Sequence, residues 1–407
     1  MDLDNIENIF LQGGSVKGTA YVGAFRELEK RGALKNIKRY AGTSAGSIGA
    51  ALLAVGYSVD ELELILRSVE YSTFLDGNNK RLLSRFTGAE KSFGGRIAGV
   101  FTAPAEGSSA SSSLGKTFGL CKGEFFRIWI EKQITAKINN LSPTHPDIDT
   151  QIPKHLTFGE LNALVSSEPE KYKHLHLIVA NVSTGQAEFI SSESEAHKNV
   201  IISDAVRCSM SIPILFDPAH LYVKTPSGVR QIGDSKMLYV DGGVTDNFRA
   251  TLFDHARYIE GADPSIKHPI RNDRTLGLRL VTSEKVEYFQ GRAEAPRKEF
   301  HGFIPFLMSI VSTMHRKQDV EFMLGNDIER TILIDTVGVG TLDFEMPEAK
   351  KDELIASGRK AVSDFFDQDK TSRSSEESGA AGPESGGEEE DDPDDNEAAA
   401  SAALSGP

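Results

Sequence analysis

Apolar residues fall in short runs, broken by glycine-rich turns, along most of the chain. Ile6 to Leu11 has the length of a strand. Thr19 to Arg31 carries apolar residues at 21, 22, 25 and 28, a helical spacing, and Gly32 supplies a stop. Asn36 to Ala41 predicts a second strand. Ala45 to Val55, small and apolar throughout, predicts a buried helix. Ser58-Val59-Asp60-Glu61 is a capping box opening a helix to about Glu70, and Thr157-Phe158-Gly159-Glu160 opens another. His174 to Asn181 alternates and then runs apolar, as a central strand does, and Gln186 to Ile190 pairs back across Ser183-Thr184-Gly185.

Farther on, Ser203 to Met210 reads as a small-residue helix stopped by Pro213. Strands are expected at 220–225, 229–233, 236–241, Leu276 to Val281 and Thr331 to Asp335. Phe303, Phe306, Leu307, Ile310, Val311 and Met314 share one helical face. Pro347 starts a last helix with Leu354, Ile355, Val362, Phe365 and Phe366 on its apolar side. Gly123 to Ile138 is helical and holds Trp129. The stretch 71–120 is irregular and is expected to be a lid or unstructured. Strands alternating with helices indicate an α/β fold, a three-layer sandwich with a mostly parallel central sheet flanked by helices.

Composition narrows the picture. The 407 residues carry 39% hydrophobic side chains, enough for a large core, and a formal charge of −14. Residues 371–407 contain eleven Asp/Glu and one Arg, hence −10, which leaves −4 for the rest. We expect one domain over 1–370 and a disordered acidic tail over 371–407. No basic stripe suited to nucleic acid is present. Two cysteines, Cys121 and Cys208, imply no disulfide framework and a reducing compartment. The acidic opening Met1-Asp2-Leu3-Asp4 has no apolar segment behind it, so a cytoplasmic location is expected, with contact to membranes at most peripheral.

The stretch Gly42-Thr43-Ser44-Ala45-Gly46 follows a predicted strand and opens a predicted helix. A serine on such an elbow is held outward at a helix N-terminus, as a nucleophile requires. A serine nucleophile also needs a base. A Ser-His-Asp triad would draw on His255, His268, His301 or His315, none of which follows a strand. Asp241 does end a strand, before Gly242 and Gly243. Gly13-Gly14-Ser15-Val16-Lys17-Gly18 matches neither a P-loop nor Gly-x-Gly-x-x-Gly, but its amides at a helix start suit a developing oxyanion.

Taken in order, Gly-Gly-Ser-Val-Lys-Gly, Gly-Thr-Ser-Ala-Gly and Asp-Gly-Gly resemble the patatin-like phospholipases, serine acyl hydrolases with a Ser/Asp dyad and no histidine. Tyr21-Val22-Gly23-Ala24, Leu120 to Trp129, Ser209-Met210-Ser211-Ile212-Pro213 and Tyr239 to Phe248 extend the likeness over about 6–345. The resemblance implies Ser44 as nucleophile, Asp241 as proton acceptor and the amides of Gly13, Gly14, Ser15 and Val16 as oxyanion hole, with lipid esters as substrate and neither metal nor cofactor. A thioesterase or small-ester hydrolase with the same dyad, or a silent lipid-binding scaffold, are the alternatives. Ser15 stands where the family usually has glycine, and a positive φ there would cost serine about 1 kcal/mol. Lys17 replaces the family's Arg or Lys, to meet a lipid phosphate or to pin the loop. An aspartate base with an ordinary pKa near 4 would sustain activity at mildly acid pH.

Overall fold

The computed structural model describes residues 3–76, 118–142, 154–234, 236–289, 292–294 and 327–379. The apolar face expected at 303–314, most of the 71–120 stretch, His301, His315 and 380–407 lie outside the described residues.

Strand β1 (Asn8–Leu11) leads through a 3-10 turn (Ser15–Thr19) into helix α1 (Ala20–Lys30). Strand β2 (Arg39–Thr43) leads into α2 (Ala45–Ala54), and α3 (Val59–Ser68) follows. Then come β3 (Gly119–Cys121), α4 (Glu124–Ile138), α5 (Phe158–Ser167), β4 (His174–Asn181) and β5 (Gln186–Ser191). They are followed by α6 (Ile202–Ser209), β6 (Ile214–Phe216), β7 (Tyr222–Thr225), β8 (Gly228–Gln231) and β9 (Tyr239–Asp241). The last elements are α7 (Gly243–Asp246), β10 (Thr275–Val281), α8 (Ser283–Phe289), β11 (Thr331–Asp335) and α9 (Glu348–Gly379).

The central sheet runs β11-β10-β1-β2-β4-β5, with β9 also on β4. Pairs among β11, β10, β1, β2 and β4 are parallel; β5 and β9 run antiparallel to β4. Strands β1 and β10 are buried along their whole length, as strands covered on both faces must be. Period-two alternation splits their side chains between two cores. Ile9, Leu11, Leu177 and Leu280 pack on one face, and Phe10, Ala41, Ile178 and Val281 on the other. This is the sandwich that the alternating pattern implies.

Local signals hold where they are local. Both capping boxes form: Ser58 accepts the Glu61 amide and Thr157 accepts that of Glu160, each at 3.2 Å, while the glutamates reach back. Strand β2 starts at Arg39, three residues after the expected Asn36, because its register is set by β1, where Asn8 faces Arg39. Ile37 is buried without pairing. The expected strands around 220–233 form a separate two-stranded hairpin, and 236–241 shortens to three residues. Strands β3 and β6 pair as another small sheet that alternation does not reveal.

Contacts group residues 1–366 into one compact unit and 367–407 into a second. Helix α9 runs to Gly379, so the boundary expected at 371 falls inside a helix. No glycine or proline interrupts 359–378, and a helix already nucleated by packed residues such as Leu354 and Val362 propagates at little cost.

Candidate active site

Strands β2 and β9 meet end to end on the same edge of β4. The parallel pairing of β2 ends with Thr43 opposite Ile178, and the antiparallel pairing of β9 ends with Asp241 opposite Val179. Both strands therefore deliver their C-terminal ends to one point. Ser44 leaves β2 there with φ 53° and ψ −126°, in a region that costs a non-glycine residue about 1–3 kcal/mol. Its Oγ donates to Asp241 Oδ2 at 2.5 Å. Ser47 secures the first turn of α2, its Oγ and N–H both donating to the Ser44 carbonyl, at 2.5 and 2.9 Å. Gly46 sits against β1: a Cβ there would lie 2.2 Å from the Leu11 carbonyl oxygen, so no larger residue fits.

Asp241 is held on both sides. Its Oδ1 accepts the Gly243 amide at 2.8 Å, and its own N–H donates to the Ser211 carbonyl at 2.8 Å. Only 6% of the residue is exposed. Burial pushes its carboxyl up to about 7, against the downward pull of the Ser44 and Gly243 hydrogen bonds. The expectation of a base ionised down to mildly acid pH is thus overturned: a buried carboxylate loses the hydration that keeps an ordinary aspartate near pH 4.

The glycine-rich loop lies directly over the serine. A Cβ on Gly13 would stand 2.8 Å from Ser44 Cβ and 2.3 Å from Asn247 Oδ1. The Gly13 N–H donates to the Asn247 carbonyl at 3.4 Å, and the Asn247 side-chain amide donates to Gly13 O at 3.3 Å. The Lys17 amide closes back on Gly14 O at 3.3 Å. Among the described residues, the amides of Gly14, Ser15 and Val16 have no acceptor. Ser15 has φ 55°, the left-handed conformation that would make glycine the cheaper residue. Lys17 Nζ donates to Thr341 Oγ1 at 3.3 Å, which ties the loop to the segment before α9. Gly18 ends the loop within the 3-10 turn.

The three motifs, Gly13 to Gly18, Gly42 to Gly46 and Asp241 to Gly243, lie in or beside this junction. The Gly13 amide, expected in the oxyanion hole, is taken by the Asn247 carbonyl, which leaves Gly14, Ser15 and Val16. Among the described residues no histidine bonds to Ser44 or Asp241. His174 and His176 face Ser192 and Glu193, and His220 faces the Met237 carbonyl. Asn247, Ser209 and Ser211 lie in stretches that carry the family resemblance, but no role at the site was expected of them. Their partners, Gly13, Ser44 and Asp241, are distant in sequence. A separate surface cleft of about 530 Å³, lined in part by Thr157, Ser192, Lys198 and Lys224, includes none of the junction residues. Its lysines are ion-paired with Glu195 and Glu160.

The sequence model of the patatin-like phospholipases matches residues 9–254, more than half of the chain, with Ser44 and Asp241 inside the match. The chain belongs to the patatin-like phospholipase family. Within curated proteins this family member is similar to the uncharacterized protein YqhO of Bacillus subtilis (strain 168), 26% identical over 367 residues, 89% of this chain and 98% of that protein. Among solved structures it is similar to VipD from Legionella pneumophila, with a TM-score of 0.49 and 19% identity over 89% of this chain and 67% of that one. ExoU, solved with SpcU from the type III secretion system of Pseudomonas aeruginosa, gives a TM-score of 0.43 and 19% identity over 89% of this chain. The patatin-like chain spans about half, 52%, of the ExoU structure. No described helix is long and apolar enough to cross a membrane, and no described group of three or more His, Cys, Asp or Glu is placed to hold a metal ion.

Proposed function

We propose that this protein is a lipid acyl hydrolase of phospholipase A or lipase type, cleaving carboxylic esters through Ser44 and Asp241. One observation carries the reading: Ser44 Oγ, on a strained strand-to-helix elbow, donates a 2.5 Å hydrogen bond straight to a buried carboxylate. A base whose pKa lies near 7 is matched to work at neutral pH. As Ser44 Oγ attacks the ester carbonyl, Asp241 takes its proton. The carbonyl electrons move onto oxygen, where the amides of Gly14, Ser15 and Val16 stabilise the charge. The alcohol or lysophospholipid departs with the proton held by Asp241, leaving an acyl-serine. Water then gives its proton to Asp241 and attacks the acyl carbon, and Ser44 leaves as the hydroxyl. The two cysteines, both free and buried, fit a reducing, cytoplasmic setting.

The deciding experiment is labelling with a fluorophosphonate probe, alongside hydrolysis of a phospholipid and of a short-chain ester. The wild type takes the probe and cleaves the lipid, and Ser44→Ala does neither while keeping its circular dichroism spectrum. Hydrolysis retained by folded Ser44→Ala would sink the nucleophile assignment. Labelling without lipid cleavage would favour the small-ester reading.

A further inference from the structure

Ser44 follows Thr43, the last β2 residue paired to β4, and its φ of 53° and ψ of −126° turn the chain off the strand line, while its N–H makes no direct bond to β4. The ladder would break here and leave a buried N–H on one strand and a buried carbonyl on the other. Ser209, at the C-terminal end of α6 and 0% exposed, fills the break. Its Oγ accepts the Ser44 N–H at 2.9 Å and donates its own hydrogen to the Ile178 carbonyl at 2.7 Å. One hydroxyl thus stands in for a rung of the sheet. The Ser209 carbonyl accepts the Gly242 amide at 3.2 Å, and two residues on the Ser211 carbonyl accepts the Asp241 amide. The end of α6 is bonded to both strands that converge on the reaction centre.

We infer that Ser209 is a positioning residue for the nucleophile. It rests on Ser44 being that nucleophile, and adds that the left-handed elbow persists because a buried hydroxyl satisfies its amide. Two consequences follow. The Ser44 N–H is occupied and does not serve the oxyanion, so that charge falls to the 14–16 amides. Alanine at 209 leaves a buried donor and acceptor unpaired, and the elbow relieves this by shifting its backbone. A shift of about 1 Å at a reacting atom is enough to cost roughly 100-fold in rate.

The test compares Ser209→Ala, Ser209→Cys and Ser209→Thr with wild type by kcat and KM on a soluble ester and by amide hydrogen exchange of the 43–46 segment. Alanine is expected to lower kcat by about 10- to 100-fold with KM little changed, and to speed exchange at 43–46 while β10 stays protected. Threonine restores the hydroxyl and most of kcat. Cysteine fills the site with a larger atom and only a weak hydrogen-bonding group, and reads the same loss should the alanine variant fail to fold. An unchanged kcat, or unchanged exchange at 43–46, overturns the role of Ser209. A wild type that neither hydrolyses esters nor takes a fluorophosphonate would instead overturn the functional reading, and exchange alone would then decide whether Ser209 holds the elbow.

Discussion

Thr43 and Asp241 occupy successive rungs on one edge of strand β4, facing Ile178 and Val179, although their own strands run in opposite directions. This head-on junction brings Ser44 and Asp241, 197 residues apart in sequence, into a direct hydrogen bond. It is also tight: a Cβ on Gly242 would lie 2.2 Å from the Ile178 carbonyl oxygen. Ser44 and Asp241 meet where position 242 has no room for a side chain.

Because burial lifts the Asp241 carboxyl to about 7, kcat/KM on a neutral soluble ester should rise with pH through that value and level off above it. A histidine base would give a similar curve, so the profile must be read with substitutions. His255→Gln and His268→Gln should keep wild-type rates, while Asp241→Asn loses at least about 100-fold. A histidine variant as dead as Ser44→Ala, with Asp241→Asn active, would restore the triad.

The same burial makes Asp241 a stability liability. Its folded value of about 7 exceeds the ordinary 3.8, so the folded protein keeps a proton that the unfolded chain releases across that window. Stability therefore falls as pH rises from about 4 to 7 and stays lowered above. Asp241→Asn should be more stable than wild type at pH 8, by up to about 4 kcal/mol, with the gain vanishing near pH 4. Urea denaturation at both pH values measures it. Part of the wild-type slope should survive in the variant. Burial also lifts Asp204, on α6, to about 7, against the pull of Arg127 at 3.8 Å.

Ser15→Gly relieves the positive φ of 55° without touching the Ser44–Asp241 hydrogen bond. We expect a gain of about 0.5–1 kcal/mol in stability and a kcat within a factor of a few of wild type. Thermal melts and ester kinetics on the same preparation check both. A loss of stability would mean that the loop does not hold this conformation in solution.

Gly46→Ala should be among the costliest single-methyl changes in the protein, since its Cβ would meet the Leu11 carbonyl at 2.2 Å and β1 lies mid-sheet. A loss of about 3 kcal/mol or more is expected. Gly49→Ala is the control: on the same helix, its Cβ meets only a movable Leu11 methyl at 3.2 Å, and alanine is the better helix former. Denaturant midpoints for the pair decide the point.

The sequence by itself determined whatever is encoded within a few residues. The elbow around Ser44, both capping boxes, the buried strands β1, β4 and β10 and the turn at Asp241-Gly242-Gly243 follow from side-chain type and spacing, because their causes are local sterics and local hydrogen bonds. The positive φ at Ser15 was legible as a conditional, from a serine standing where glycine is usual. Only the tertiary structure decided that β9 runs antiparallel and abuts β2, that Asn247 and Ser209 brace the loop and the elbow, and that Asp241 titrates near 7. Each of these depends on what a distant segment brings to the site. A carboxylate's pKa is set by the solvent it loses, and a serine's role by the amide it happens to meet, and neither is written in the neighbouring residues.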